Sequence, residues 1–453
     1  MKNTAEIIAT GTHRRLASLT SDERVRMLRE VFPPQAELYI VGGAVRDALL
    51  GAPSEDLDFA TDLGAEEVMM YLSARGIRTV PTGMRHGTVT AVLPSGGAGL
   101  EITSYRGAAP GGLAEDLCLR DFTINALALH IESGELIDPV GGLNDLASRV
   151  VRAPGSAAAR FQEDPLRMLR MVRFGCGEGF TVAPETKRAA SALSAEISKV
   201  SVERVRDEFS RILLSPRPDF GLCLMHELGL LGQIAPEIAA CCGFEQNRFH
   251  HLDLFAHTAA VVAEIKPDLI LRLAALLHDV GKPATLSVGD DGERHFYCHE
   301  VAGMEIARKM LTRLRYPHGV IDAALVLVRT HMRPLDCGPS GMRRLLRDTG
   351  EQFERWRELK RADSLCLLSD RDQIQLQLEQ FDAAVERLRQ GPDLSPLGSL
   401  AINGDDLIGL GLKPGPLFGR ILRALHEAVL DQPELNQREE LLRRAQELAG
   451  AEQ

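Results

Sequence analysis

Two acidic residues at close spacing are the first candidates for chemistry in this sequence. Asp56 and Asp58 are separated by one residue within a run of β-forming residues, so on a strand their side chains would project from the same face. Neighbouring carboxylates repel each other unless a cation lies between them, and such a pair suits a divalent-metal site for phosphoryl transfer. Glu101, in another predicted strand, is a candidate third oxygen ligand. A solvated strand edge would carry the same pair, so both interpretations stay open.

A pair of glycines precedes these acids. Gly42 and Gly43 end a predicted strand, and Ala44 begins a predicted helix. Such a turn lets backbone N–H groups and a helix N-terminus approach a phosphate closely. The segment is neither a Walker A loop nor a dinucleotide fingerprint, because no Gly-Lys-Ser/Thr follows and GxGxxG is absent. A phosphate-binding turn and a plain strand-to-helix turn are the two alternatives.

Imidazoles and carboxylates in the second half of the chain form another candidate site. Each falls in or beside a predicted helix, and helices can direct such side chains from several directions into one pocket. Their nitrogen and oxygen atoms suit a divalent transition metal or Mg²⁺. The residues are His257, His278, Asp279, His299, His331 and Asp363.

The elements that must position these residues change in type along the chain. Short β-forming runs alternate with helix-like stretches up to about Phe161, which predicts a mixed α/β head. From there on the pattern is one of amphipathic helices, so the rest is predicted to be nearly all helical. The predicted strands cover residues 37–43, 56–61, 87–93 and 99–105.

Composition is that of an ordinary globular protein. The chain has 453 residues, 45% hydrophobic and 25% charged, which predicts two to four domains and excludes fibrous and disordered classes. Its eight cysteines contain no CxxC pair, so reduced thiols are favoured over a zinc cage. No run of about 18 apolar residues and no signal-like N-terminus is present, so we expect a cytoplasmic protein without membrane contact.

The net charge of −11 argues against a broadly basic nucleic-acid binder. The charge is not uniform along the chain: residues 160–217 carry a net positive charge, with 11 Lys and Arg against 8 Asp and Glu. Any nucleic acid is therefore expected to meet a localised surface in that segment.

Several segments carry a resemblance to a known family. Residues 41–61, 82–93, 119–129, 136–146 and 161–174 resemble, in order, the signature segments of class II tRNA nucleotidyltransferases, which group with bacterial poly(A) polymerases. Residues 402–436 resemble the tail of the bacterial members. The resemblance implies an α+β nucleotidyltransferase head of the polymerase-β type, followed by a mostly helical neck, HD domain and tail. The predicted divisions are an N-terminal extension 1–30, head 31–155, neck 156–220, HD domain 221–375 and tail 376–453.

The resemblance also implies roles in the head. Asp56 and Asp58 would be the catalytic acids and hold Mg²⁺, which activates the tRNA 3′ hydroxyl and grips the incoming triphosphate. Arg120 and Asp121 match the segment that contacts the ribose. The family usually has two arginines before this Asp, whereas this chain has Leu119. The nucleotide-binding set implied is Gly42, Gly43, Arg46, Arg120, Asp121, Asp164, Arg167, Arg170 and Arg173.

Within that set, Asp164 and Arg167 match the family's nucleotide selector. Three apart on a predicted helix, they would present an acceptor beside a donor fork. Cytosine and adenine offer the complementary order of groups, whereas uracil and guanine would leave buried groups unpaired. A surface salt bridge between the two residues is the alternative. Arg170 and Arg173 continue the basic face towards phosphates, and Phe174 is predicted to lie in the core.

The His278-Asp279 dyad, followed by Gly281-Lys282, resembles the HD phosphohydrolase superfamily. The six residues of the second half would then hold a divalent metal of unknown identity, and a phosphohydrolase activity would suit repair of damaged 3′ ends. His250 and His251 resemble the family's docking segment, without a ligand role.

Thirteen residues separate Arg106 from Arg120, where full CCA-adding members carry a longer loop. This shortness resembles the CC-adding subgroup. The expected substrates are tRNA and CTP, with ATP as a further candidate and no protein partner inferable. Two alternatives stay open: a bacterial poly(A) polymerase, and an HD nucleotide or cyclic-phosphate hydrolase with an RNA-binding head.

Overall fold

The computed structural model describes residues 14–53, 56–83, 87–93, 99–105, 112–246, 252–367, 371–390 and 400–451. The chain divides into two compact units, with the boundary between Ile234 and Ala235. The first unit begins with a mixed sheet and continues as helices, and the second is nearly all helical. The predicted fold class is confirmed, whereas the finer division into five domains stays a prediction.

A seven-stranded sheet forms the head. Its strands are β1 (Leu38–Val41), β2 (Asp58–Thr61), β3 (Arg78–Gly83), β4 (Thr88–Val92), β5 (Leu100–Ser104), β6 (Ala128–His130) and β7 (Leu136–Ile137). They lie in the order β3-β4-β5-β2-β1-β6-β7, in which β2 pairs with β5 in parallel and the other neighbours pair antiparallel. The four predicted strands are thus present, and β3, β6 and β7 are additional.

Helices pack against the sheet, and further helices follow it in the first unit. Those of the first unit are α1 (Glu23–Val31), α2 (Gly43–Leu50), α3 (Ala65–Ala74), α4 (Leu113–Cys118), α5 (Gly142–Ala147), α6 (Ala157–Glu163), α7 (Arg167–Gly175), α8 (Pro184–Ala192), α9 (Val202–Leu213), α10 (Pro218–Glu227) and α11 (Leu230–Ile234). Two short strands, β8 (Val150–Val151) and β9 (Thr181–Val182), pair in parallel. One buried cluster joins the sheet to α4 through Tyr39, Val41, Ala60, Leu113, Leu117, Ala126 and Ala128.

Strand pairing explains where β2 begins. The prediction that Asp56 and Asp58 share a strand was wrong, because β2 starts at Asp58, which lies opposite Val41 in the antiparallel pair with β1. Continuing that register would place Asp56 opposite Gly43, where the chain has already turned into α2. Asp56 therefore precedes the strand and is exposed, whereas Asp58 is half-buried.

Proline breaks the helix that was expected to carry the Asp164–Arg167 pair. α6 ends at Glu163 and α7 starts at Arg167, so the prediction of one continuous helix was wrong. Pro165 has no N–H to donate, and a residue before proline is pushed away from helical geometry. Asp164 accordingly has φ −144° and ψ 98°.

The second unit is built from helices α12 (Pro236–Ala239), α13 (Leu254–Glu264), α14 (Leu269–Leu277), α15 (His299–Arg313), α16 (His318–Thr330), α17 (Pro339–Thr349), α18 (Phe353–Leu365), α19 (Arg371–Gln390), α20 (Gly404–Gly409), α21 (Pro416–Asp431) and α22 (Arg438–Ala451). Strands β10 (Ser287–Val288) and β11 (Arg294–His295) form a small hairpin before α15. Trp356 is fully buried in α18 and donates its indole N–H to the Thr330 carbonyl at 3.0 Å. Among the described helices, none has the length and apolar character needed to cross a bilayer.

Candidate functional site

A cavity of about 410 Å³ in the first unit, here called the head cavity, contains most of the residues predicted for nucleotide chemistry. All nine residues of the predicted nucleotide-binding set line it, together with Asp58. Three further lining residues were not predicted: Asn125, Phe174 and Arg211. Asp56 and Glu101 are not part of the lining.

Asp58 lines the head cavity, and two other carboxylates lie near it. Asp58 at the start of β2 lies beside Glu101 on β5 in the parallel register. Burial raises the pKa of Asp58, and the nearby charges of Glu101 and Asp56 raise it further, against the lowering effect of Arg120. The ionised form of Asp58 is therefore disfavoured by its own surroundings, and a bound cation would relieve that cost. This observation fits the predicted divalent-metal site.

The glycine turn brings backbone close to Asp58. Gly42 has φ 73° and ψ −129°, a conformation that side-chain-bearing residues rarely adopt. A Cβ at this position would lie 3.2 Å from Arg120 Nη1 and 3.9 Å from Asp58 Oδ2. The absence of a side chain thus keeps the space between the carboxylate and the guanidinium open, at the N-terminus of α2.

Asp121 anchors the cationic side of the cavity. Its Oδ2 accepts two hydrogen bonds from Arg170, from Nε at 2.9 Å and Nη2 at 2.6 Å. Its Oδ1 accepts from Asn125 Nδ2 at 3.0 Å and from the Phe122 N–H at 2.8 Å. Burial alone would raise the pKa of Asp121, but Arg170 and Asn125 hold it below its ordinary value. The carboxylate thus has its acceptor positions filled by the protein, so it positions Arg170 instead of offering a free oxygen to a ribose.

Arginines around this anchor are held in the same way. Asn125 Oδ1 accepts from Arg46 Nη1 at 2.6 Å. The buried Glu208 accepts from Arg173 Nε at 2.7 Å and from Arg211 Nη1 at 3.3 Å. Each guanidinium is thereby fixed in orientation with part of its donor set facing the cavity. Such an array suits phosphate oxygens, which accept several charge-assisted hydrogen bonds.

Asp164 and Arg167 both line the cavity but do not bond to each other. Asp164 Oδ2 accepts from Arg204 Nη2 at 2.8 Å, and its Oδ1 accepts from the Leu166 N–H at 3.2 Å. Arg167 donates to the Arg160 carbonyl, to Glu163 and to the Leu119 carbonyl, at 3.1 to 3.2 Å. The alternative of a mutual surface salt bridge is therefore not what the structure shows.

Phe174 was predicted to be a core residue, and that prediction was wrong. The ring lines the cavity, with Arg46 Cζ 4.9 Å and Arg173 Cζ 4.3 Å from its centroid. Met168 and Leu169 of the same helix are fully buried. The helical spacing of Arg167, Arg170 and Phe174 would have revealed the common face.

The six predicted ligands of the second half converge in the second unit. Asp279 lies at the centre: its Oδ1 is 3.1 Å from His299 Nε2 and 3.5 Å from His331 Nε2, and its Oδ2 is 3.2 Å from His278 Nε2. His257 Nε2 is 3.2 Å from Asp363 Oδ1 and 3.9 Å from Asp279 Oδ2. We call these six residues the histidine cluster. His250 and His251, predicted as a docking segment, lie outside the described residues.

Tautomers in the histidine cluster follow from its hydrogen bonds. The Nδ1 atoms of His278, His299 and His331 lie 2.7 to 2.8 Å from backbone carbonyl oxygens. A carbonyl only accepts, so each Nδ1 carries a proton and each Nε2 faces inward, where its lone pair is available to a metal when that nitrogen is unprotonated. His299 Nε2 and His331 Nε2 are 3.2 Å apart, and His278 Nε2 is buried without a well-aligned hydrogen bond. Lone pairs this close repel unless a cation lies among them, which fits a divalent metal.

Two three-ligand groupings in the cluster have their ligand atoms within 4.8 Å of one another: His257 with His278 and Asp279, and Asp279 with His299 and His331. Lys282 Nζ lies 2.6 Å from Asp279 Oδ2 and donates to Gln246 at 2.8 Å. Burial alone would raise the pKa of Asp279, but His278 and Lys282 hold it well below its ordinary value. Asp279 is therefore ionised and available as a ligand.

Comparison with known proteins gives three family matches along the chain. Residues 38–152 match the Poly A polymerase head domain, residues 179–242 match the probable RNA and SrmB-binding site of polymerase A, and residues 248–368 match the HD domain.

Curated relatives cover nearly the whole chain. An A-adding tRNA nucleotidyltransferase of Deinococcus radiodurans is 37% identical, over 88% of this chain and 92% of that protein. A CC-adding tRNA nucleotidyltransferase of Thermus thermophilus is 34% identical, over 86% and 89%. A Multifunctional CCA protein of Xanthomonas campestris is 34% identical, over 87% and 98%.

Solved structures show the same fold. The CCA-adding enzyme of Bacillus stearothermophilus in complex with CTP matches with a TM-score of 0.68 at 26% identity, over 100% of this chain and 99% of that one. The Thermotoga maritima CCA-adding enzyme complexed with tRNA matches with a TM-score of 0.61 at 20% identity, over 97% and 98%.

Proposed function

The chain belongs to the tRNA nucleotidyltransferase family, and from that premise we propose that it transfers nucleotides from CTP, with ATP as the second candidate donor, to the 3′ end of tRNA at the head cavity. The observation that carries the proposal is the head cavity itself. Asp58 lines it together with fixed guanidinium groups and with the glycine turn at the N-terminus of α2. Acidic residues for a metal and cationic residues for a triphosphate are the two requirements of nucleotidyl transfer.

We assign Asp58, with Asp56 and Glu101 beside it, as the residues that hold Mg²⁺. A bound Mg²⁺ would neutralise triphosphate oxygens and lower the pKa of the attacking 3′ hydroxyl. The chain itself orients the triphosphate, since Arg170 and Arg173 are locked by Asp121 and Glu208 before any ligand binds. Preorganised donors of this kind stabilise developing charge without reorganisation during the reaction.

Base selection is assigned to Asp164 and Arg167. Each carboxylate oxygen of Asp164 uses one acceptor position within the protein, so each retains one for an exocyclic amino group. Arg167 uses three of its five N–H groups, and two stay available for a ring nitrogen or carbonyl. Cytosine and adenine complement this order, and uracil and guanine do not.

The number of nucleotides added distinguishes two forms of the proposal. The short segment between Arg106 and Arg120 favours CC addition, although residues 106–111 lie outside the described part of the chain. Similarity to an A-adding relative at 37% identity and a CC-adding one at 34% supports A addition as the second candidate. A poly(A) polymerase is less well supported, because these relatives act on tRNA by name.

Transcripts of tRNA with staged 3′ ends test the proposal directly. Purified protein is incubated with transcripts lacking the last three nucleotides or only the terminal A, with CTP alone, ATP alone and both, and products are resolved on a sequencing gel. CC addition predicts two added C residues on the shorter transcript and no further extension with ATP. Addition of a single A to the longer transcript, and none to the shorter one, identifies an A-adding enzyme. Full extension of the shorter transcript to CCA contradicts both the CC-adding and the A-adding forms of the proposal. Long A tails on unrelated RNA would identify the poly(A) polymerase.

Gly42→Ala is expected to impair nucleotide addition through the turn. A side chain at φ 73° costs about 1–3 kcal/mol of conformational strain. Its Cβ would lie 3.2 Å from Arg120 Nη1, so the guanidinium would have to shift away from Asp58. We expect the KM for CTP to rise about tenfold, for about 1.4 kcal/mol of lost binding. Gly76→Ala is the matched control, because Gly76 has φ 72° and nothing within 4 Å of its Cβ position. Equal loss of activity in both variants would contradict a local role for Gly42.

For the histidine cluster we propose a second, metal-dependent phosphohydrolase activity, with Asp279 and its surrounding imidazoles as metal ligands. The supporting observation is the set of inward lone pairs around an ionised carboxylate. The identity of this metal is left to measurement, and the cytoplasmic location expected from the sequence stays a prediction.

A further inference from the structure

One face of α9 contacts the residues of the head cavity. Arg204, Glu208 and Arg211 are four and three positions apart on this helix, so their side chains project from the same face. Glu208 accepts a hydrogen bond from Arg173, and Arg211 lines the cavity itself. Arg204 is not among the described residues that line the cavity, and no role was predicted for it from sequence. Its guanidinium nevertheless contacts the carboxylate to which base selection is assigned.

The carboxylate of Asp164 is held at both oxygens, by partners of different kinds. The Leu166 N–H, from the same turn of the chain, donates to Oδ1 at 3.2 Å. Arg204 Nη2, from α9, donates to Oδ2 at 2.8 Å. The first contact is long and holds a single oxygen, so by itself it leaves the carboxylate able to rotate about the Cβ–Cγ bond, a torsion with broad minima. Arg204 therefore supplies the contact that fixes the plane of the carboxylate.

Arg204 lies at a helix position that favours acidic residues. It is the third residue of α9, where the unpaired backbone N–H groups and the helix dipole make a cation unfavourable. Its side chain is 54% exposed and that of Asp164 is 31% exposed, and an ion pair between exposed groups contributes little to folding stability. The stability of α9 therefore gives no reason for an arginine at this position, whereas the placement of Asp164 does.

The helix beneath Arg204 is firmly packed. Its buried apolar residues are Val205, Phe209, Ile212 and Leu213. Glu208, which is also buried, joins α9 to α7 through its hydrogen bond with Arg173 at 2.7 Å. Asp164, by contrast, lies in the break between α6 and α7. A packed helix thus holds, through Arg204, a carboxylate whose own segment is not helical.

We propose that Arg204 is a positioning residue for base selection, which fixes Asp164 to accept from the amino group of cytosine or adenine and to repel the carbonyl oxygen of uracil or guanine. The proposal rests on the nucleotide addition and base selection proposed for the head cavity. A fixed carboxylate gains a hydrogen bond from the amino group and meets a second acceptor in the carbonyl group. A carboxylate that can rotate gains less from the first and avoids the second. Because selection is the difference between these two interactions, loss of Arg204 lowers it from both sides.

Arg204→Ala is expected to lower the ratio of kcat/KM for the correct nucleotide to kcat/KM for the wrong one about tenfold, or by about 1.4 kcal/mol of discrimination. The ratio compares CTP with UTP on a tRNA transcript that lacks its last three nucleotides, or ATP with GTP on one that lacks only the terminal A, whichever the unchanged protein extends. Arg204→Lys keeps a charged donor and should recover most of the ratio.

Lys199→Ala is the matched control, because Lys199 is an exposed cation that pairs with Glu196 just before α9. Its ratio should equal that of the unchanged protein. A purely structural role for Arg204 would lower both rates equally and leave the ratio unchanged, and that result overturns the proposal. An equal fall of the ratio in Lys199→Ala overturns it as well.

Folding and failure of the proposed function are separated by two further measurements. The Tm of Arg204→Ala should match that of the unchanged protein because the ion pair is exposed, and the ratio does not depend on the folded fraction, since both rates scale with it. If the unchanged protein extends no transcript, the proposed nucleotide addition fails. Calorimetric titration of CTP and of UTP into both proteins then judges Arg204 by binding. A preference for CTP that is lost in Arg204→Ala supports its role, and an equal preference in both proteins, or none in the unchanged one, overturns it.

Discussion

Asp58→Asn is expected to reduce nucleotide addition to tRNA by about a thousandfold or more. Loss of a metal-binding carboxylate removes several kcal/mol of transition-state stabilisation, and about 4 kcal/mol corresponds to three orders of magnitude in rate. Asn keeps the shape of the side chain, so the strand β2 and its pairing with β1 should persist. Incorporation of labelled CTP into a tRNA transcript under single-turnover conditions measures the effect.

The same substitution should not destabilise the protein. Burial and the nearby Glu101 raise the pKa of Asp58, so in the metal-free protein the ionised form weakens the fold above that pKa, and the neutral amide removes this penalty. In EDTA we expect a Tm equal to or above that of the unchanged protein. Glu66→Gln, at an exposed carboxylate in the first turn of α3, is the matched control and should keep full activity. If Asp58→Asn kept its activity, the proposal that Asp58 takes part in catalysis would be wrong.

The sequence predicted the strands that carry Asp58 and Glu101, but not the residue at which β2 begins. The β-forming runs were sufficient to place β1, β2, β4 and β5, because each has a buried face and flanking turn residues. β6 and β7 have three and two residues, and β3 contains Pro81, which lowers the strand signal. The start of β2 depends on where its partner β1 ends. Such a property belongs to the pair of strands and not to either segment alone.

Roles within the head cavity required the structure. The expectation that Asp121 contacts a ribose came from a matching segment, but its contact with Arg170 joins residues that are 49 positions apart in sequence. Two other expectations, the continuous helix and the core position of Phe174, could have been corrected from the sequence alone. Pro165 already excludes a helix from Asp164 to Arg167, and the spacing of Phe174 from Arg170 places it on the cationic face. The six residues of the histidine cluster were all named from the sequence, since a His-Asp dyad with widely spaced partners is a specific signal; their role as metal ligands stays a prediction.

Asp279→Asn is expected to slow the metal-dependent hydrolysis of a cyclic phosphate substrate to its phosphomonoester by about a thousandfold or more, because the metal is lost, while sparing nucleotide addition. Asp279 lies within 3.5 Å of His278, His299 and His331, so it is the residue that most of the cluster shares. The metal content of the purified protein, measured by elemental analysis, should fall with the activity. This second readout separates loss of the metal from a defect in substrate binding.

Folding must be controlled in this experiment, because Lys282 is buried and lies 2.6 Å from Asp279. Breaking a buried ion pair by removing one partner costs about 3–5 kcal/mol, so Asp279→Ala could unfold the second unit. Asn retains a hydrogen-bond acceptor for Lys282, and His331→Asn provides an independent variant that leaves this pair intact. His318→Ala, at an exposed histidine that begins α16, is the matched control. Loss of nucleotide addition together with loss of cyclic-phosphate hydrolysis in both cluster variants would instead assign the cluster a structural role, since nucleotide addition at the head cavity does not require a separate hydrolytic site.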